Sequence, residues 1–157
     1  MQTNSAMESS DAPGFSPARS RFGLLIASVY RQWRRQVDLS FKDLGLSDAT
    51  RTPLLALYER GAPMRQKDLA DALYLDSSSL VRVLAQLRQA QLVDWACDPS
   101  DRRTKCIVLT EKGRTTAALI LAKSLEIERT LLAGLTPEEE QLTRAVLQKI
   151  SQRFAAL

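Results

Sequence analysis

The stretch "DPSDRRTKCIVLTEKG" (98–113) decides the fold. Its charged opening separates two short apolar runs, "LVDWAC" (92–97) and "KCIVLT" (105–110). Runs of that length, rich in Val, Ile and Trp and broken by Asp, Pro and Ser, predict a β-hairpin. Its tip carries Arg102, Arg103 and Lys105. Such a tip faces either water or an anionic surface.

Helices lie on both sides of the hairpin. Upstream, Phe22, Leu25, Ile26, Val29, Tyr30, Trp33, Val37, Phe41 and Leu44 recur at helical spacing. They predict a long amphipathic helix over about 18–43, stopped near Gly45. Ser47 is placed to cap a second helix bearing Leu54, Leu55, Leu57 and Tyr58, in which Pro53 predicts a kink or a late start. Then "RQKDLADAL" (65–73) and "DSSSLVRVLAQLRQAQ" (76–91) follow within a few residues. The second has an inward stripe of Leu80, Val83, Leu84 and Leu87, leaving Ser77, Ser78, Ser79, Arg82 and Gln86 outward. Helix, tight turn, helix is the helix-turn-helix signature. Downstream, Thr110 caps a helix over about 111–133. Thr136, Pro137 and Glu139 form a capping box for a last helix with Leu142, Val146, Leu147, Ile150 and Phe154 inward. Residues 1–17 are polar and read as a disordered arm.

The composition narrows function by what it lacks. The chain has 157 residues, a net charge of +4, two cysteines and no histidine. The commonest general base and metal ligand is therefore missing, and two cysteines alone cannot form a zinc site. Neither common nucleotide-cradling glycine loop occurs, nor a nucleophile elbow. We expect no enzyme, no metal and no cofactor. With no long apolar span and no leader pattern, the expected location is the cytoplasm, with both cysteines as thiols.

A helix-turn-helix followed directly by a hairpin is a winged helix, a mainly α fold of order α-α-α-α-β-β-α-α. Its second helix suits the major groove, where base edges differ. The hairpin tip suits the neighbouring minor groove, where an arginine meets negative potential. Asp101 is expected to hold a tip arginine by a charge-assisted bond. Charge alone would not establish this: residues 65–105 hold seven basic and six acidic side chains. The order of elements carries the reading.

The block "QKDLADALYLDSSSLVRVLAQLRQAQLVDWACDPSDRRTKCIVLTEKG" resembles the central region of the MarR family of bacterial transcriptional regulators. The family hallmark is Asp-x-Arg in the wing, then Leu-Thr at a helix start. Here these are Asp101-Arg102-Arg103 and Leu109-Thr110. "SSSLVRVLAQL" is most like the SlyA branch. The resemblance covers the chain from about residue 18 onward. It implies a homodimer on a palindromic operator, most often as a repressor released by a small aromatic acid. It also implies a winged-helix DNA-binding domain at 47–110, with a helical dimerisation region made by 18–46 and 111–157. The implied DNA contacts are Ser77, Ser78, Ser79, Arg82, Gln86, Asp101, Arg102, Arg103 and Lys105. The alternative is an effector-independent global or architectural DNA-binding protein.

The family's ligand cleft directs attention to Tyr30, Trp33 and Arg51. At the place of Arg51 the family usually has an apolar or aromatic residue. An arginine aimed at an apolar cleft requires an anion, and a ligand carboxylate would match its fork. An internal ion pair to Asp38 or Asp43 would satisfy it equally. Cys97 and Cys106 flank the wing and are read as small apolar fillers that face each other across the hairpin.

Overall fold

The structure is a computed structural model, and it describes residues 21–157. The proposed N-terminal arm lies outside the described residues. Helix α1 spans Phe22–Phe41, and a 3-10 turn at Lys42–Leu44 ends at Gly45, whose φ of 63° is left-handed. Then come α2 (Asp48–Arg60), β1 (Met64–Arg65), α3 (Gln66–Ala72), α4 (Ser77–Gln89), β2 (Val93–Cys97), β3 (Lys105–Leu109), α5 (Glu111–Leu131) and α6 (Pro137–Phe154). The chain divides into two compact units within α1, after Arg35.

The expected hairpin is present, as β2 and β3 in antiparallel register from Val93↔Leu109 to Cys97↔Lys105. One strand was not anticipated. Met64–Arg65 pairs with β3 through Ile107 and Cys106, giving a three-stranded sheet of order β1-β3-β2. Two residues are too few to show alternation, so no local pattern marks them. The late start that Pro53 offered for α2 does not occur. Helix α2 runs through it, and Pro53 is buried in the second turn. The proline removes the bond that position would have given the Ala49 carbonyl, while burial of Leu54 and Leu57 beside it favours the helix.

In the unit formed by residues 36–157, Phe41, Leu54, Leu69, Leu80, Leu87, Ile107 and Ile120 form a core that solvent does not reach. Every element from α2 to α5 except the two edge strands of the sheet supplies one of these side chains. The recognition-type pair α3–α4, the wing and α5 are therefore set on one apolar cluster.

A seam of main-chain contacts fixes where α4 ends, β2 begins and α5 starts. Gln91 takes a left-handed φ of 60°. The Leu92 amide then donates to the Leu87 carbonyl at 2.9 Å, and Gln91 N–H to Arg88 O at 2.9 Å. This closes α4 with a Schellman motif. Thr110 caps α5 by accepting from Gly113 N–H at 2.9 Å, while its hydroxyl donates to Gln91 O at 2.7 Å. Thr110 N–H reaches Leu92 O at 3.1 Å, and Lys112 Nζ reaches Ala90 O at 2.9 Å. Gly113 is required by this approach: a Cβ there would stand 1.9 Å from the Leu92 carbonyl oxygen.

Helix α6 begins with the expected capping box. It contains no buried residue, and Leu142, Val146, Leu147 and Phe154, read from sequence as inward, are exposed in the single chain. Arg144 ties it to α5 through Glu128, and to its own Glu140 at 3.0 Å. No described helix is long and apolar enough to cross a membrane.

Gly113→Ala tests the seam. Alanine favours a helix, yet its methyl group must displace main chain. Urea denaturation is expected to show a loss of about 2–3 kcal/mol; unchanged stability would contradict the close approach.

Candidate nucleic-acid interface

Helix α4 is positioned from its first turn. Asp76 is the N-cap and accepts from Ser79 N–H at 2.7 Å. The same carboxylate takes the hydroxyls of Ser78 at 2.8 Å and Ser79 at 3.0 Å. These bonds, led by the Ser79 N–H, hold the Asp76 carboxyl below its usual pKa. The two hydroxyls thus spend their protons on the cap and offer lone pairs outward. Leu80, Leu84 and Leu87 are buried on one side of the helix. Ser78, Arg82 and Gln86, four residues apart, form one exposed stripe on another. Ser77 is exposed as well.

The wing tip is built by two aspartates. Asp98 N–H donates to Thr104 O at 2.8 Å and closes the loop. The buried Asp98 side chain accepts from Ser100 Oγ at 2.7 Å, Ser100 N–H at 2.8 Å and Arg65 Nε at 2.6 Å. The two Ser100 bonds, then Arg65, push its carboxyl far below the usual carboxylate range. Asp101 does not hold an arginine side chain. Its carboxylate accepts from Arg103 N–H at 3.0 Å and Thr104 Oγ1 at 2.9 Å, because the tight turn brings those donors nearer. The consequence is useful: Arg102, Arg103 and Lys105 are exposed and take part in no ion pair among the described residues.

Arg65 and Asp98 were missed from sequence. They lie 33 positions apart, and only the unanticipated β1 brings them together. That ion pair joins the start of α3 to the base of the wing. The cysteines also differ from expectation. Cys106 pairs with Ala96 and Cys97 with Lys105, so the two sulfurs alternate across the sheet, Cys97 exposed and Cys106 buried. Burial pushes the Cys106 thiol up.

The sequence-predicted ligand residues fall in both units. Tyr30 is exposed and Trp33 half-buried on the first part of α1. Arg51, in the other unit, is 3% exposed. Its guanidinium donates to Asp38 Oδ1 at 2.6 Å and to the Leu46 carbonyl at 2.7 Å, and stacks over Phe41 at 4.8 Å. The internal ion pair is the arrangement adopted.

Comparison with known proteins agrees with this architecture. Residues 54–113 match the family model described as a winged helix DNA-binding domain. The crystal structure of transcriptional regulator PA3341 is similar at 32% identity and a TM-score of 0.82, covering 87% of this chain and all of that one. CouR from Rhodococcus jostii RHA1, bound to p-coumaroyl-CoA, is similar at 28% identity and a TM-score of 0.77, covering 86% of this chain and 95% of that one. A MarR-family transcriptional regulator from Rhodococcus sp. RHA1 is similar at 24% identity and a TM-score of 0.76, covering 87% of this chain and 97% of that one.

Two outcomes are expected. Because the Asp98 pKa is lowered on folding, its contribution is present above the unfolded value of about 4 and is lost only as pH falls through the lower folded value. Amide signals of Ser100 and Thr104 should hold their native shifts below pH 4 in an NMR titration. A transition at an ordinary aspartate pKa in the wild type would contradict the clamp. Arg51→Ala should lose about 2–3 kcal/mol in thermal unfolding, because its bonds are charge-assisted and buried. Equal stability would deny the ion pair its structural role.

Proposed function

We propose that the chain is a MarR-family regulator, a homodimeric repressor that reads a palindromic operator and releases it when an aromatic acid binds; the winged helix DNA-binding domain at residues 54–113 and the likeness to a transcriptional regulator at 32% identity support this reading. The observation that carries the reading is the pairing of two surfaces on one core: the Ser78, Arg82 and Gln86 stripe of α4, and a wing whose Arg102, Arg103 and Lys105 are left unpaired by the aspartates of the tip. Arg82 is assigned to a guanine edge, which it can engage with two hydrogen bonds. The wing arginines are assigned to the minor groove and its phosphates.

The dimer is supported by the apolar surface of α6, which the single chain leaves exposed, and by exposed Phe22, Val29 and Tyr30 on α1. A second copy is the common partner for such surface, and two-fold symmetry requires a palindromic site with half-sites roughly 34 Å apart. A cytoplasmic location is part of the proposal, since a DNA reader works where the DNA is. The effector class is supported by the p-coumaroyl-CoA bound by CouR. Arg51 is proposed for an acid group, which must displace Asp38 from the fork; the Asp38 side chain is 46% exposed, so solvent can take it up.

Fluorescence anisotropy against DNA upstream of the protein's own gene and against scrambled DNA, across a salt series, tests the reading. Wild type should prefer the upstream DNA, with affinity falling steeply as salt rises. Arg82→Ala should lose about 1–3 kcal/mol of that preference. Arg103→Ala should weaken both DNAs and lower the salt slope by about one. Equal binding to both DNAs by wild type would favour an architectural protein, and no binding at low salt would overturn the assignment.

A further inference from the structure

Tyr74 stands in the turn between α3 and α4 with a φ of 53°. It is the left-handed residue of a Schellman motif. Its N–H donates to Asp71 O at 3.2 Å, and Leu75 N–H donates to Ala70 O at 3.0 Å. Glycine is the usual residue there, because a Cβ is unfavourable at positive φ. A tyrosine is therefore the wrong residue for the turn. Its side chain does not repay the strain within the fold: it is 91% exposed, and its hydroxyl has no partner among the described residues. Gln91 makes the contrast. It shares the left-handed backbone, but its carbonyl holds the Thr110 hydroxyl, so there the conformation serves the seam.

Tyr74 lies two residues before the Asp76 cap of α4. When the N-terminal turns of such a helix enter a major groove, the turn leading into the cap stands at the groove's edge, where the phosphates run. Tyrosine hydroxyls are among the donors used to phosphate oxygens. Strain without an internal return points to a contact outside the molecule. We propose that Tyr74 is a DNA-backbone contact, its phenol donating to a phosphate oxygen beside the recognition helix. The proposal rests on the DNA-binding reading above. Such a contact fixes register and carries no base information, so it adds equally to specific and non-specific affinity. A neutral phenol displaces no counterion, so the contact leaves the salt slope alone, unlike that of Arg103.

Tyr74→Gly separates this role from a structural one, because glycine suits the turn better than tyrosine. The variant should keep or raise the wild-type melting temperature, yet bind upstream and scrambled DNA about tenfold more weakly with an unchanged salt slope. Tyr74→Phe, which keeps the ring and the backbone, should lose affinity similarly. Wild-type affinity in Tyr74→Gly overturns the contact, and wild-type affinity in Tyr74→Phe overturns the hydroxyl's part in it. Wild-type protein that binds neither DNA at low salt overturns the DNA-binding reading and this contact together.

Discussion

The close passage of Gly113 under the Leu92 carbonyl is the constraint on which the remaining geometry depends. At that point α4 has just ended, β2 is beginning and α5 is starting, and none of the three can move without the others. Thr110 works on both sides of the seam, accepting from Gly113 and donating to Gln91. Close packing then transmits the arrangement, since Leu87, Ile107 and Ile120 are fully enclosed in the same cluster. The recognition helix, the wing and the helix leading toward the proposed dimer region are thus held by one junction. A shift imposed on α5 would reach α4 and the wing, the elements proposed to face DNA, through it.

The polar chemistry of the interface follows a division of labour between acids and bases. Asp76, Asp98 and Asp101 each take main-chain N–H and hydroxyl donors from their own turns. The arginines and lysine of the tip are left unpaired as a result. A local charge balance near zero therefore still leaves cationic side chains free at the tip, because the acids are engaged by donors of their own turns. The Arg65–Asp98 bridge adds a second attachment of the wing, from β1, so the tip is tied at its base as well as along its ladder.

What could be read from sequence was what is local. The hairpin, the Thr110 cap and the Thr136 capping box are each written within a few residues, and each formed. The burial of Leu80, Leu84 and Leu87 followed from a period that any helix shares. Strand β1 was not legible because two residues carry no period, and with it the Arg65–Asp98 pair was lost. Pro53 did not delay the start of α2, because local propensity was outweighed by the burial of its neighbours. Tyr74 gave no signal at all, since a positive φ at a tyrosine is visible only in coordinates. Arg51 was legible as an unusual charge that needed a partner, but the choice between Asp38 and a ligand lies in tertiary packing.

The account's central claim is that α4 and the wing of each protomer meet DNA together, in two copies related by two-fold symmetry. Hydroxyl-radical footprinting on the upstream DNA tests it most directly. The predicted pattern is symmetric about one centre, with two protected major-groove faces about 10 base pairs apart and a flanking minor-groove protection outside each. A single unsymmetric patch, or protection without the flanking minor grooves, would contradict it.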